Sequence, residues 1–344
     1  MNPLLDAIAA DARDIVSKID CTGLRGKTVL ITGASGLIGV NVLACLRELA
    51  QTFRNECSVV ATMQSAPADF IEALCDFPAC TVIRGDLTDQ SFYESLPRAH
   101  IIIHAAGYGQ PALFTQNPVK TLQLNTQSTF ALFSKLLPSG RFLFLSTSEL
   151  YSGCTSPPFV ESQIGSTDVS HPRACYIEGK RCGEAIVNAY RSQGVAAKSA
   201  RLCLAYGPGT RPGDKRVLNS FIQRALAGQI DMLDSGSARR TYCYVADAVE
   251  LLWKILLFGT DCVYNVGGES DVTILELARK IGGYLHVPVN APPTPPFLTD
   301  APQDVRLDMS KTNREFGKTA GVPFDVGLAR TIEWQKILYG ETLP

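Results

Sequence analysis

The chain predicts an α/β fold: a doubly wound parallel sheet followed by a smaller α+β lobe. Three observations carry this. Short apolar runs at Lys27–Thr32, Ser58–Thr62, Thr81–Arg84, His100–His104, Arg141–Ser146 and Ala196–Leu202 alternate with helical stretches at 37–50, about 68–77, 117–137 and 174–193. Such alternation is the signature of parallel strands joined by helical crossovers. The first run ends in a glycine-rich turn that opens a helix. Beyond Leu204 the pattern gives way to shorter elements and to Gly/Pro-rich loops at Tyr206–Asp214 and Ala291–Pro296, which mark the second lobe.

Ahead of the first strand, Leu4, Leu5, Ile8, Ala12, Ile15, Val16 and Ile19 recur at three- and four-residue spacing, so residues 3–19 read as an amphipathic helix for packing or subunit contact. The 344 residues suit about two domains at roughly 100–200 residues each. A net charge of −1 with no run of five like charges argues against nucleic acid as partner. Eleven scattered cysteines without C-x-x-C signal neither zinc nor a disulfide framework, and point to a reducing cytoplasm. The four histidines suggest no metal site, and no apolar stretch reaches the ~18–20 residues of a membrane span.

The turn after the first strand reads Gly33-Ala34-Ser35-Gly36-Leu37-Ile38-Gly39. Gly33 permits the tight turn, Gly36 lets backbone N–H groups approach a pyrophosphate, and Gly39 allows close packing of helix on strand. In its strand-turn-helix context this is a Rossmann-type dinucleotide site, with Ser35, Leu37 and Ile38 as further contacts. The acid expected about 20 residues on, to hold the adenosine ribose, is missing. The segment reads Val60-Ala61-Thr62-Met63-Gln64-Ser65, where Gln64 or Ser65 can bond a ribose hydroxyl, so NAD and NADP both stay open. Asp86 and Leu87, after the third strand, are candidates for the adenine edge.

Tyr176 and Lys180 lie four apart in a helical stretch and therefore share a face. An ammonium there is expected to lower the phenol's pKa, letting Tyr176 act as a general acid/base. Thr147, Ser148 and Glu149 follow a core strand at the end where open α/β sheets bind ligands, and Thr147 can share the oxygen that Tyr176 deprotonates.

These motifs resemble the extended short-chain dehydrogenase/reductase family, in its nucleotide-sugar epimerase/dehydratase/decarboxylase branch. The glycine turn, His104-Ala105-Ala106-Gly107, Asn125, Thr147, Tyr176 and Lys180 carry the likeness. Within the branch the chain is most similar to UDP-glucuronate decarboxylases, through Asn117–Leu122, Ser146–Tyr151, Pro172–Arg181 and Ser235–Thr241 with Tyr244, Val245 and Asp247. The resemblance implies a tightly bound, recycled NAD contacted also by Ala105, Ala106, Gly107, Asn125, Tyr176 and Lys180, a nucleotide-sugar substrate, and a homodimer. It implies oxidation at sugar C4 and a 4-keto intermediate. The branch's dehydratases carry an Asp as acid where this chain has Ser148. Its decarboxylases carry Ser-Glu, as in Ser148-Glu149, and an arginine matching Arg240 near the substrate carboxylate. Arg216 matches a diphosphate or base contact, and Arg211, Lys215 and Arg239 add basic residues to the second lobe.

Two places depart from the decarboxylase pattern: Leu204 stands where relatives carry an Asn, and the loop Gly107-Tyr108-Gly109-Gln110-Pro111 stands where decarboxylases carry a Ser/Pro-rich segment. Epimerisation, dehydration and net ketosugar reduction or oxidation remain alternatives. Tyr264–Gly268 resembles the strand that returns to the first lobe. The expected division is therefore an N-terminal extension at 1–25, a dinucleotide unit at 26–203 with 241–268, and a sugar-nucleotide lobe at 204–240 and 269–344. Thr273 and Glu276 form a capping box.

Overall fold

The computed structural model describes residues 2–52, 56–268, 270–293, 304–317 and 321–340. Helix α1 (Pro3–Ser17) starts at a proline, is capped by Asn2 and buries Ile8, Ala12, Ile15 and Val16. The sheet units follow as β1 (Thr28–Thr32), α2 (Leu37–Gln51), β2 (Ser58–Met63), α3 (Asp69–Cys75), β3 (Cys80–Arg84), α4 (Gln90–Ser95) and β4 (Ala99–His104). Next come α5 (Pro111–Gln116), α6 (Pro118–Asn125), α7 (Gln127–Ser134), β5 (Leu136–Thr147), α8 (Ala174–Ser192) and β6 (Ala196–Leu202).

The smaller elements are β7 (Leu204–Tyr206), α9 (Val217–Leu226), β8 (Ile230–Asp231), β9 (Arg239–Arg240), β10 (Tyr242–Tyr244), α10 (Val245–Phe258) and β11 (Val263–Val266). After them stand β12 (Val272–Thr273), α11 (Ile274–Leu285), β13 (Val289–Asn290), β14 (Asp304–Val305), α12 (Ser310–Phe316) and α13 (Phe324–Tyr339).

Seven parallel strands form the central sheet in the order β11-β6-β5-β4-β1-β2-β3. Both faces are covered, so alternate residues enter different cores: Val29, Ile31, Leu143 and Leu145 on one side, Leu30, Ile102, Phe142 and Phe144 on the other. The chain order reverses between β1 and β4, which opens a crevice at the C-terminal ends of these strands. α1 packs on α2, α10 and α13.

The helix expected over 117–137 is two helices and a strand start. It breaks at Thr126 (φ −114°, ψ −73°), and Leu136 already pairs with Ala99 of β4. An apolar pair such as Leu136-Leu137 fits either period, and strand pairing decided it. The six-residue helices α4 and α5 lie below the length at which periodicity is readable. The capping box is present, with Thr273 and Glu276 bonding each other's backbone N–H. Of the Pro-rich loop, positions 294–296 lie outside the described residues. Among the described residues no helix is long and apolar enough to cross a membrane.

Candidate active site

The glycine turn is pressed against the loop after β4. Gly33 has φ +69°, and a Cβ there would lie 2.7 Å from Ala105 O and Ala106 N. At Gly39 a Cβ would come within 2.3 Å of Gly33 O, whereas at Gly36 its nearest neighbour is at 3.4 Å. Gly33 and Gly39 thus close the turn, and Gly36 leaves room above the N-terminus of α2. No side chain caps this 15-residue helix, so its first N–H groups, among them those of Leu37 and Ile38, suit a pyrophosphate. Ser35 is buried in the turn, and Arg211 reaches it from the loop after β7 at 3.5 Å. The loop bearing Arg211 is tied down where Asn41 donates to Pro208 O (2.9 Å) and Trp334 to Thr210 O (3.0 Å).

A chain of bonds sets the next wall. Ala106 N–H donates to Thr32 Oγ1 (3.3 Å), the Thr32 hydroxyl meets His104 Nδ1 (2.7 Å), and His104 Nε2 reaches Leu124 O (3.0 Å). Burial holds His104 neutral, with its pKa pushed down to about 3, so Nε2 carries the proton toward the carbonyl. His100, four residues before it in β4, accepts from Thr28 N (3.0 Å), so both histidines serve the β1–β4 seam. Asn125, beside Leu124, donates to Thr121 O (2.7 Å), and its buried Oδ1 has no partner among the described residues. A Cβ on Gly107 would sit 3.8 Å from Lys180 Nζ and 3.9 Å from Asn125 Oδ1. This cradle, with a spare acceptor and an ammonium, fits the nicotinamide ribose of a dinucleotide. At the other end of the crevice Asp86 is bonded to Lys120, to Gln64 (3.1 Å) and to Thr88. Leu87 is buried, its carbonyl accepting from Ser128.

Thr147 ends β5, and its hydroxyl accepts from Glu149 N (3.2 Å) and lies close enough to the Tyr176 phenol to favour its ionised form. Tyr176 lies in the first turn of α8, stacked on Phe114 of α5 with ring centroids 4.6 Å apart and planes 5° from parallel. Arg173 stands over Phe114 (5.5 Å) and grips Glu149 in a two-pronged pair, Nε donating to Oε2 (3.1 Å) and Nη2 to Oε1. Lys180 is buried, donates to Leu145 O (2.5 Å) and faces the Phe144 ring at 4.7 Å. Ser148 is buried between Thr147 and Glu149.

Electrostatics correct one expectation. Burial and the Glu149 carboxylate push Tyr176 up to about 12, against Thr147, Arg173 and Arg216. The Lys180 ammonium is itself disfavoured by burial, its pKa falling to about 7 with Glu184 opposing. Sequence spacing shows that the two side chains share a face but not that the ammonium pays desolvation.

The remaining candidates stand in different states. Arg240 stands in the electrostatic reach of Arg173 and Glu149, and burial draws its guanidinium below the usual range. Its guanidinium donates to Arg239 O (2.7 Å). Arg216 is forked onto Asp214 and also reaches Ala205 O. Tyr108 leans on the apolar core that holds Leu30 and Phe144. Sequence reasoning missed Phe114 and Arg173 as site residues. Arg173 had a signal, three positions before Tyr176 on one helical face; Phe114 had none, because α5 was not legible.

A sequence model of the NAD dependent epimerase/dehydratase family matches residues 29–267. The chain is 30% identical over 306 residues to UDP-glucuronic acid decarboxylase 6 of Arabidopsis thaliana, covering 87% of this chain and 86% of that protein. It is 30% identical over 315 residues to UDP-glucuronic acid decarboxylase 1 of Danio rerio, covering 90% and 72%. Among solved structures, an epimerase of Methanothermobacter thermautotrophicus superposes with a TM-score of 0.80 at 22% identity, covering 98% of this chain and 96% of that one. With the glycine turn, the dinucleotide cradle and the Tyr176–Lys180 helix in place, the chain belongs to the NAD dependent epimerase/dehydratase family.

Proposed function

We propose that this protein is a nucleotide-sugar enzyme acting through a 4-keto intermediate, and that its reaction is decarboxylation of UDP-glucuronate. The observation that carries this reading is the cluster of Glu149, Arg173 and Arg240 beside the Tyr176–Thr147 pair, with Ser148 between them. The relatives named UDP-glucuronic acid decarboxylase support it.

When bound, NAD supplies the hydride acceptor for sugar C4 and returns the hydride at the end. Tyr176 removes the O4 proton, with Thr147 bonding the same oxygen. Its phenol must fall from about 12 for this, and Thr147, Arg173 and Arg216 already pull in that direction. Lys180 and Asn125 hold the ribose edge. The 4-keto sugar is a β-keto acid: its carboxylate leaves as CO₂, and the electron pair of the C5–C6 bond moves to O4, where the Tyr176 hydroxyl donates; C5 then takes a proton from water as the C4 carbonyl re-forms and the O4 proton returns to Tyr176, which is again ready to protonate O4 when C4 is reduced. Arg240 pairs with the carboxylate beforehand, and Glu149, oriented by Arg173, serves the step after hydride transfer. Ser148 bonds the substrate but has no carboxylic proton with which to expel a C6 hydroxyl, which disfavours dehydration. Tyr108 and Arg216 complete the substrate contacts, Arg216 at the diphosphate.

The dinucleotide unit at 26–203 with 241–268 and the sugar-nucleotide lobe at 204–240 and 269–344 then face each other across this cleft. Exposed Val119, Leu122 and Phe130 on α6 and α7 support a homodimer through that helical face, and the unpatterned cysteines support a cytoplasmic setting. Leu204, 40% exposed in β7, favours a second reading in which another nucleotide sugar is epimerised.

Incubation with a panel of nucleotide sugars, read by mass spectrometry, tests the assignment. Loss of CO₂ from UDP-glucuronate is the expected result; an unchanged mass with a new NMR coupling pattern on another sugar would replace it with epimerisation.

A further inference from the structure

Behind the catalytic helix lies a polar network that the mechanism above does not use. Glu184, one turn after Lys180 on α8, accepts from Ser146 Oγ (2.5 Å) and is forked by Arg201 of β6 (2.9 and 3.0 Å). Arg201 also donates to Tyr151 OH (2.9 Å) and to the carbonyls of Glu161 and Gln163 (3.0 Å each). Tyr151 OH continues to Asn265 of β11 (2.7 Å). Arg201 and Glu184 are nearly inaccessible, with side chains 2% and 8% exposed. The network spans four elements, and Ser146, Tyr151 and Lys180 adjoin or belong to the catalytic segments.

We infer that Glu184 is a positioning residue for the Tyr176–Lys180 pair: its carboxylate holds Lys180 in the ammonium form and, through Ser146, fixes the end of β5 that presents Thr147. The inference rests on the reading that Tyr176 and Lys180 carry the chemistry.

The surroundings of Lys180 leave this role to Glu184. From α8 it feels Glu184, and from β4 His104, which is neutral. From β5 it meets the Phe144 ring and Leu145 O, and Asn125 of α6 lies across the same glycine, Gly107. Of these groups Glu184 alone is an anion near neutral pH, and its field opposes the burial that strips Lys180 of its proton. Arg201 then has a definite task. It fills the carboxylate's remaining acceptor sites, so that the charge stays in one place. Ser146 occupies the position before Thr147, so the same carboxylate anchors both the general-base helix and the strand end opposite it. A 0.5 Å shift at either is enough to spoil a shared hydrogen bond to one substrate oxygen.

The test is the pH dependence of kcat/KM for wild type, Glu184→Gln and Ser146→Ala with the nucleotide sugar that the panel identifies. Wild type should lose activity as pH rises through the Lys180 titration. Glu184→Gln should move this alkaline limb down by about one pH unit and lower kcat at pH 8 about 10- to 100-fold, with KM within about twofold. Ser146→Ala should lower kcat by about tenfold without moving the limb. The double variant Glu184→Gln/Arg201→Met leaves no unpaired buried charge; if Glu184→Gln fails to fold, the double variant should show the same displaced limb. An active wild type with an unmoved limb in the folded variant overturns this inference alone. A wild type inactive on every nucleotide sugar overturns it together with the reading beneath it.

Discussion

Two arginine–carboxylate pairs flank the Tyr176–Lys180 helix, and they differ in where water is. Arg173–Glu149 opens toward solvent, with side chains 18% and 25% exposed, whereas Arg201–Glu184 is sealed between α8 and the sheet at 2% and 8%. A cleft-side pair keeps part of its hydration and can trade partners with an incoming carboxylate at little cost. A sealed pair cannot, because either partner left alone is an uncompensated charge in low dielectric. The first is therefore suited to handling substrate and the second to holding geometry.

The contrast is broken most severely at the residue both pairs serve. Tyr176→Phe should abolish turnover, lowering kcat by at least about 10³-fold while the fold persists, as steady-state assays with circular dichroism would show. Glu184→Ala should cost about 3–5 kcal/mol of stability in urea unfolding, against about 1 kcal/mol or less for Glu149→Ala. Equal losses would erase the distinction drawn here. Glu149→Gln should slow CO₂ release about 10- to 100-fold while single-turnover formation of reduced cofactor, followed by absorbance, changes little.

A smaller effect lies in the pH dependence of stability. His104 is held neutral, its pKa falling from 6.5 to about 3, so the unfolded chain binds more protons and stability is lost as pH falls through that window. Lys180 is depressed from 10.5 to about 7, so its contribution rises with pH between those values. Melting temperature should therefore climb above pH 7 in wild type and less steeply in Lys180→Met.

The same contrast explains how much was legible beforehand. The glycine turn, the six strands and the Tyr176–Lys180 spacing are local patterns, each set by a few neighbouring residues, and they stand in the fold where the sequence puts them. Arg173–Glu149 joins residues 24 apart, and Phe114 reaches Tyr176 from a helix too short to show a period. Glu184–Arg201–Tyr151–Asn265 assembles from four elements, and nothing local marks these residues as one network. After β6, the strands of two or three residues are paired with distant segments rather than marked by a pattern of their own. The charge state of Lys180 was likewise out of reach, because desolvation is a property of the packed interior.

The central claim is that one active site oxidises C4, releases CO₂ and restores C4 with the same hydride. Incubation of the enzyme, without added nicotinamide, with UDP-glucuronate deuterated at C4 tests this directly by mass spectrometry and NMR of the product. The account predicts a UDP-pentose that has lost CO₂ and keeps deuterium at C4. A product without the label, or turnover that requires added cofactor in proportion to product, would contradict it.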